Sequence, residues 1–440
     1  MKGCDRLRAV DLIRKKKEGL ELNDEEIRFL VRGYTEHDIP DYQMSAFLMA
    51  VCFQGMTDEE ILSLTLSMRD SGKVMDLGKI KGQKIDKHST GGIGDKTTLV
   101  LSPIVASLGI PVTKMSGRGL GYTGGTVDKL QSIPGYRCEY TTDEFIDQVK
   151  KHGIIVAGQS DELAPADRMI YALRDATGTV DSIPLIASSI MSKKLSSGCD
   201  GIVLDVTCGS GAFMKDEKSA RKLANLMVTI GKKAGKRMSA LITSMDEPLG
   251  FAVGNSNEVK EAVGALKGNG PSDLMTVVYG LGSEMLMLAG IYSDRQSCIN
   301  AMKKSVADGS AYNKMVEWIS SQGGDASFLD DTSKFPAAAK LTPVRALCKG
   351  YVSSIDSDMI GKSVMLLGGG RKKMSDKIDS AVGIKLIKKT GDYVRPGDII
   401  MEISSDFGPD DDEAIHTAAN AYHYSDEMPL KSDVIIGVIK

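Results

Sequence analysis

The chain has 440 residues, 42% of them hydrophobic, and a formal net charge of −3; it is too long for one core and implies two or three domains of a soluble protein, with neither nucleic acid nor an anionic membrane as main partner. Its N-terminus is highly charged and no apolar run approaches the roughly 18 residues of a membrane span, so no signal peptide or spanning helix is expected and the protein is read as cytoplasmic. Seven cysteines (Cys4, Cys52, Cys138, Cys199, Cys208, Cys298, Cys348) are scattered without C-x-x-C spacing, which reads as reduced thiols rather than a disulfide framework or a zinc site.

Residues 1–70 read as consecutive amphipathic helices. Asn23-Asp24-Glu25-Glu26 and Thr57-Asp58-Glu59-Glu60 each set a capping residue three positions before a glutamate, ahead of Ile27, Phe29 and Leu30 or Ile61, Leu62 and Leu64. Pro40-Asp41 opens a third helix, apolar along Met44, Phe47 and Leu48. From about residue 80 short apolar runs alternate with helices. Leu99-Val100-Leu101, Val112-Thr113-Lys114-Met115, Ile154-Ile155-Val156-Ala157, the run 201–206 and Met238–Ile242 are predicted as strands of an α/β sheet. Residues 160–198 return to helix, with Ser182 as N-cap before Ile183-Pro184 and Gly198 as the stop. Ser189 and Lys193, four apart, share a face of that helix. Residues 216–340 continue mainly as helices. Beyond about 345, strands and turns dominate; Lys389–Asp398 looks like the turn of a lipoyl or biotinyl carrier domain, but without a Met-Lys attachment hairpin it is read as a structural, β-barrel-like unit.

Two glycine-rich stretches carry the chemistry. In 86–98, Lys87, His88, Ser89, Thr90 and Thr98 surround Gly91, Gly92 and Gly94; in 114–126, Lys114, Ser116, Arg118, Thr123 and Thr126 alternate with five glycines. Glycines let backbone N–H groups converge on an oxyanion, and two such loops can grip one dianion from two sides. The second loop falls beyond a strand's carboxyl end, where ligands of open α/β sheets lie. Gly119–Gly124 also satisfies G-x-G-x-x-G, but no ribose-binding acid follows it, and there is no Walker loop. Val203–Phe213 resembles the cofactor loop of S-adenosylmethionine-dependent DNA methyltransferases, although the N-P-P-Y or D-P-P-Y element is missing. Arg174 next to Asp175, and Lys193 next to Lys194, are further candidates for function or for plain surface charge.

Lys87–Asp95, Ser116–Leu130 and Leu163-Ala164-Pro165-Ala166-Asp167-Arg168 together resemble the thymidine and pyrimidine nucleoside phosphorylase family, and the likeness runs from Ile13-Arg14-Lys15-Lys16 to Gly368-Gly369-Gly370-Arg371. The resemblance implies an α/β protein: a small all-helical domain and a large α/β domain separated by a cleft, with a β-rich C-terminal unit. Residues 1–75 and 160–198 would form the helical domain, with the pyrimidine side and the homodimer interface. Residues 80–156 and 200–340 would form the phosphate-binding domain, and 345–440 the C-terminal unit. The implied reaction is reversible phosphorolysis of a pyrimidine nucleoside by inorganic phosphate, with no organic cofactor. By the same resemblance Lys87, Ser89, Thr98, Lys114, Met115, Ser116 and Thr126 hold phosphate, Arg174, Ser189, Lys193 and Lys114 bind substrate, and His88, Arg174 and Lys193 are catalytic. Anthranilate phosphoribosyltransferase shares that fold but uses a pyrophosphate donor and magnesium on aspartates, and its loops are not matched. A non-catalytic binding protein would be favoured by lesions at Lys87, His88, Arg174 or Lys193, and all four are intact.

Three details bear on the subtype. Lys114 resembles the less selective bacterial enzymes, whereas strict thymidine phosphorylases tend to have methionine there, which implies action on uridine, thymidine and deoxyuridine. Tyr122 replaces a frequent histidine, and Thr207-Cys208 replaces a lysine-containing segment; their effects are left open. Relatives can bind potassium through carbonyls matching Gly94, Leu249 and Ala252, a carboxylate matching Glu261, and a threonine whose place Lys96 takes. The Lys96 ammonium is expected to stand in the ion's place, leaving potassium weakly bound or absent.

Overall fold

The computed structural model describes residues 7–119, 122, 124–373, 375–430 and 432–440; Cys4, and Leu120, Gly121 and Thr123 of the second glycine stretch, lie outside them. Both capping boxes form. Asn23 accepts from the Glu26 amide at 2.9 Å while Glu26 accepts from the Asn23 amide at 2.8 Å, opening helix Asp24–Thr35. Thr57 and Glu60 open helix Asp58–Asp70 in the same way. Glu60 also accepts from buried Lys16 at 2.8 Å and from the Leu22 amide at 2.8 Å, so one carboxylate ties three segments together. With helix Asp41–Gln54, which buries Met44, Phe47 and Leu48, these helices share a core with Ala166, Ile170 and Leu185 of helices Pro165–Thr177 and Ile183–Ser196.

The α/β part contains β1 (Ile85–Ser89), β2 (Val112–Ser116), β3 (Ile154–Gly158), β4 (Gly201–Cys208) and β5 (Arg237–Ser244). β1, β4 and β5 run parallel in one sheet, and β2 pairs parallel with β3. Two strand expectations are corrected. Leu99-Val100-Leu101 lies in helix Thr97–Ser107, which contains Pro103; the helix is apolar on every side because it is buried on every side, and a short apolar run cannot then be told from a buried strand. Conversely, Asp86–Ser89, read as part of the first glycine-rich stretch, belongs to strand Ile85–Ser89.

The remaining strands are β6 (Ala252–Val253), β7 (Lys340–Arg345), β8 (Gly350–Ile355), β9 (Gly383–Leu386), β10 (Tyr393–Val394), β11 (Ile399–Ser405), β12 (Tyr422–Ser425) and β13 (Ile435–Ile439). β6 to β12 form antiparallel sheets of order β6-β9-β11-β7 and β10-β8-β12, packed with helices Ser357–Leu366 and Asp411–Ala419, instead of a barrel. The expected unit 345–440 is corrected at both edges: β6 and β7 join its sheet from earlier in the chain, and β13 leaves it to pair antiparallel with β5.

Candidate active site

β1, β2 and β4 end at Ser89, Ser116 and Cys208, and the loops that follow meet around a cavity of about 760 Å³. Both glycine stretches reach it. Gly94 has φ +75°, and a Cβ there would stand 2.7 Å from the Leu249 carbonyl oxygen, so only glycine allows this approach. His88, Ser89, Thr98, Lys114, Met115, Ser116 and Thr126 line the cavity, with Thr98 in the first turn of its helix, where the positive end of the helix dipole favours an anion. Lys87 lies beneath: its Nζ donates to Thr97 Oγ1 at 2.9 Å and stands 3.1 Å from Asp205.

The site concentrates lysines and sets carboxylates behind them. Lys194 lines the cavity and donates to Asp86 at 2.7 Å, while Lys87 is flanked by Asp205 and Asp95. Burial opposes the Lys87 charge, but the two aspartates outweigh it and raise its pKa. Lys114 donates only to the Lys87 carbonyl, at 2.7 Å, and forms no ion pair with a described residue; burial, followed by the charge of Lys194, lowers its pKa to about 7. Burial and then Lys194, Lys114, Lys87 and Lys193 hold His88 well below the usual histidine range, so its imidazole is neutral near pH 7.

The second glycine loop is held by Asp128, a residue that the sequence motif contained but to which no role had been given. Its carboxylate accepts from the amides of Gly119 and Gly125, both at 2.8 Å, closing the loop on itself. The other oxygen accepts from Arg371 at 2.8 Å, and Arg371 also donates to the Gly119 carbonyl at 2.9 Å. Arg371 comes from the C-terminal unit, as does Asp358, which accepts from the Tyr122 hydroxyl at 3.2 Å. Thr207 fastens the first loop, donating to the Gly91 carbonyl at 2.6 Å and lying 2.9 Å from the Thr90 hydroxyl. In the loop after β4 a Cβ on Gly211 would meet Ser357 Cβ at 2.4 Å, so this glycine serves close packing against the C-terminal unit.

The residues assigned to the pyrimidine side, Arg174, Ser189 and Lys193, do not line this cavity; the loop residues Val180 and Asp181, between their two helices, do. Lys193 donates to Ser189 Oγ at 2.9 Å and pairs with the buried Asp167, which sequence reasoning passed over inside a motif it had singled out. Arg174 is 1% exposed and donates to the carbonyls of Thr179, Val180 and Leu185 at 3.2, 2.9 and 3.0 Å, so it fixes the loop between the two helices. Asp205 was hidden within a predicted strand, and Phe213, half exposed at the cavity rim, carried no signal of its own.

The potassium set does not fit an added ion. Lys96 Nζ donates to the Leu249 and Ala252 carbonyls at 2.7 and 2.8 Å and to Glu261 at 2.6 Å, while the Gly94 carbonyl accepts from the Lys96 backbone amide at 2.8 Å.

Residues 10–72 match the helical bundle domain of a glycosyl transferase family and residues 81–312 its a/b domain. Anthranilate phosphoribosyltransferase from Thermus thermophilus has the same fold, with a TM-score of 0.58 at 17% identity over 71% of this chain and 99% of that one. Fold and family match thus define an enzyme of the glycosyl transferase class, in which the C-terminal residues 351–425 match the pyrimidine nucleoside phosphorylase C-terminal domain. The chain is 53% identical over 399 residues to the pyrimidine-nucleoside phosphorylase of Geobacillus stearothermophilus, spanning 91% of this chain and 92% of the relative. It is also 53% identical over 397 residues to that of Bacillus subtilis, spanning 90% and 92%. The chain belongs to the pyrimidine-nucleoside phosphorylase family of pentosyltransferases. No helix among the described residues is long and apolar enough to cross a membrane.

Proposed function

We propose that the protein catalyses reversible phosphorolysis of uridine, thymidine and deoxyuridine to the free base and a pentose 1-phosphate, in nucleoside salvage and catabolism. The observation that carries this reading is one cavity lined by Ser89, Thr98, Ser116 and Thr126 together with His88 and Lys114, over Lys87. Phosphate arrives as an anion, so it needs no general base; hydroxyls, amides and Lys87 need only hold it below C1′. A phosphate oxygen bonds to C1′ as the C1′–N1 bond breaks, and the bonding pair leaves on the base. Glycosidases cleave the analogous bond with two carboxylates; here an anionic nucleophile and cations take those parts.

The neutral state of His88 supports a hydrogen-bond donor to the base O2 rather than a preformed acid. Lys193, oriented by Asp167 and Ser189, is suited to the charge that develops on the pyrimidine. Because Lys193 and Arg174 lie outside the cavity, we infer that closure of the helical domain onto the phosphate side assembles the reactive state. Tyr42, Met49 and Phe53 are exposed along one face of helix Asp41–Gln54, which supports a homodimer through that face. The unpaired thiols Cys138, Cys199, Cys208 and Cys298 fit a reducing compartment such as the cytoplasm.

The test is incubation of the purified protein with uridine, and separately thymidine, with and without inorganic phosphate, following base release by ultraviolet absorbance. Phosphate-dependent release from both is expected. Release from thymidine alone would overturn the reading of Lys114, and release from neither would overturn the phosphorylase reading.

A further inference from the structure

We propose that Lys96 is a covalently attached monovalent cation: its ammonium fills a cage of carbonyl and carboxylate oxygens that would otherwise draw potassium from solution, and the protein therefore neither binds nor needs that ion. The proposal concerns stability and ion binding, and it stands whichever reaction the cavity performs.

The cage is complete without an ion. An ammonium has three N–H donors, and the three are met by Leu249 O, Ala252 O and Glu261 Oε2 at 2.6–2.8 Å. Lys96 is fully buried, out of reach of bulk solvent. Glu261 is itself fixed, since its carboxylate accepts from the Phe251 amide at 3.0 Å and the Ala252 amide at 3.2 Å. The remaining space is closed: a Cβ on Gly250 would stand 2.9 Å from Lys96 Nζ and 2.3 Å from Glu261 Oε2. Two carbonyls and one carboxylate around a single positive centre form a donor set of the kind hard monovalent cations favour, here met by the chain itself.

The position of Lys96 gives this a consequence for the site. It stands between Gly94, in the first glycine loop, and Thr97 and Thr98, which begin the helix facing the cavity. Its ammonium joins that loop to segment 249–252, which continues into β6 and so into the sheet of the C-terminal unit. A free ion making the same link would stabilise the protein by mass action, with the logarithm of its concentration above its dissociation constant. A tethered one makes the link independent of the salt present.

The experiment is thermal unfolding of the full chain at constant ionic strength in potassium, sodium or choline chloride, with thallium(I) binding followed by 205Tl NMR as a second readout. Wild type is expected to unfold at the same temperature in all three salts and to bind no thallium(I) at this locus. Lys96→Thr, which removes the ammonium but leaves Glu261 and the carbonyls, is expected to be less stable in sodium or choline. It should recover by several degrees in potassium, as expected for an ion that binds only the folded state. Lys96→Met, which fills the space without a charge, should be destabilised and show no potassium-specific recovery. A wild type stabilised by potassium over sodium would overturn the proposal, as would a folded Lys96→Thr indifferent to the cation. If Lys96→Thr does not fold in any salt, the wild-type unfolding and thallium(I) measurements decide alone.

Discussion

Removing the Asp128 carboxylate should weaken phosphate binding by disordering a loop that the residue itself does not share with the ligand. The buried Asp128 holds two loop amides at 2.8 Å, Arg371 at 2.8 Å and the half-exposed Arg118 at 3.4 Å. Asp128→Ala leaves the Arg371 guanidinium buried without its carboxylate, a loss of about 3–5 kcal/mol in comparable buried pairs. If about 1.4–2.8 kcal/mol of this falls on the order of loop 117–126, the KM for phosphate rises roughly 10–100-fold. The KM for nucleoside and kcat at saturating phosphate should change much less. The assay is steady-state phosphorolysis over a range of phosphate, repeated for Arg371→Ala and the double variant, with circular dichroism to establish folding. Because both side chains serve one interaction, the cycle should return an interaction energy of about 1.5–3 kcal/mol. Strict additivity, or a phosphate KM unchanged in a folded Asp128→Ala, would refute the view that the C-terminal unit orders the anion loop through this pair.

Other outcomes follow from single contacts. Lys114 has a folded pKa of about 7 against an ordinary 10.5, so between those values the unfolded chain binds more protons. Stability should therefore rise with pH through that window, and Lys114→Met should lose the rise; identical pH profiles of urea midpoint for the two proteins would exclude Lys114 as the group. Lys16→Met strands the buried Glu60 carboxylate and should cost about 3–5 kcal/mol by urea unfolding, whereas replacing both members with apolar residues should cost much less. Asp167→Asn, which removes the charge orienting Lys193, should lower kcat about 10–100-fold with little change in phosphate KM; unchanged kcat would remove Asp167 from the site. Phe53→Glu should yield monomers in light scattering, and a persistent dimer would place the interface elsewhere.

The sequence was most readable where an element is local. The Asn23 and Thr57 boxes depend on residues three apart, and β2 to β5 are apolar runs bounded by turns, so each could be drawn from its own residues. β1 escaped because three of its five residues, Asp86, Lys87 and His88, are ionisable; a strand that supplies the site does not look like a buried strand. The anion loops were visible through glycine, hydroxyl and cation in close succession. Their supports were not: Lys87 with Asp205, Lys194 with Asp86 and Asp128 with Arg371 join residues 108 or more positions apart. No periodicity records such pairs. Arg174 is a further case, since its three carbonyl partners, at Thr179, Val180 and Leu185, could not be read from its own residue type.

The pairing of β13 with β5 has a consequence for biosynthesis. During translation the parallel strands β1, β4 and β5 emerge long before Ile435–Ile439, so the outer edge of β5 remains bare while the whole C-terminal unit is made. A bare edge with apolar flanks invites pairing with the wrong chain. The nascent protein is thus open to misassociation from the time β5 is made until β13 pairs with it. Codons that slow the ribosome before β13 should lower soluble yield more than the same changes near the first helix.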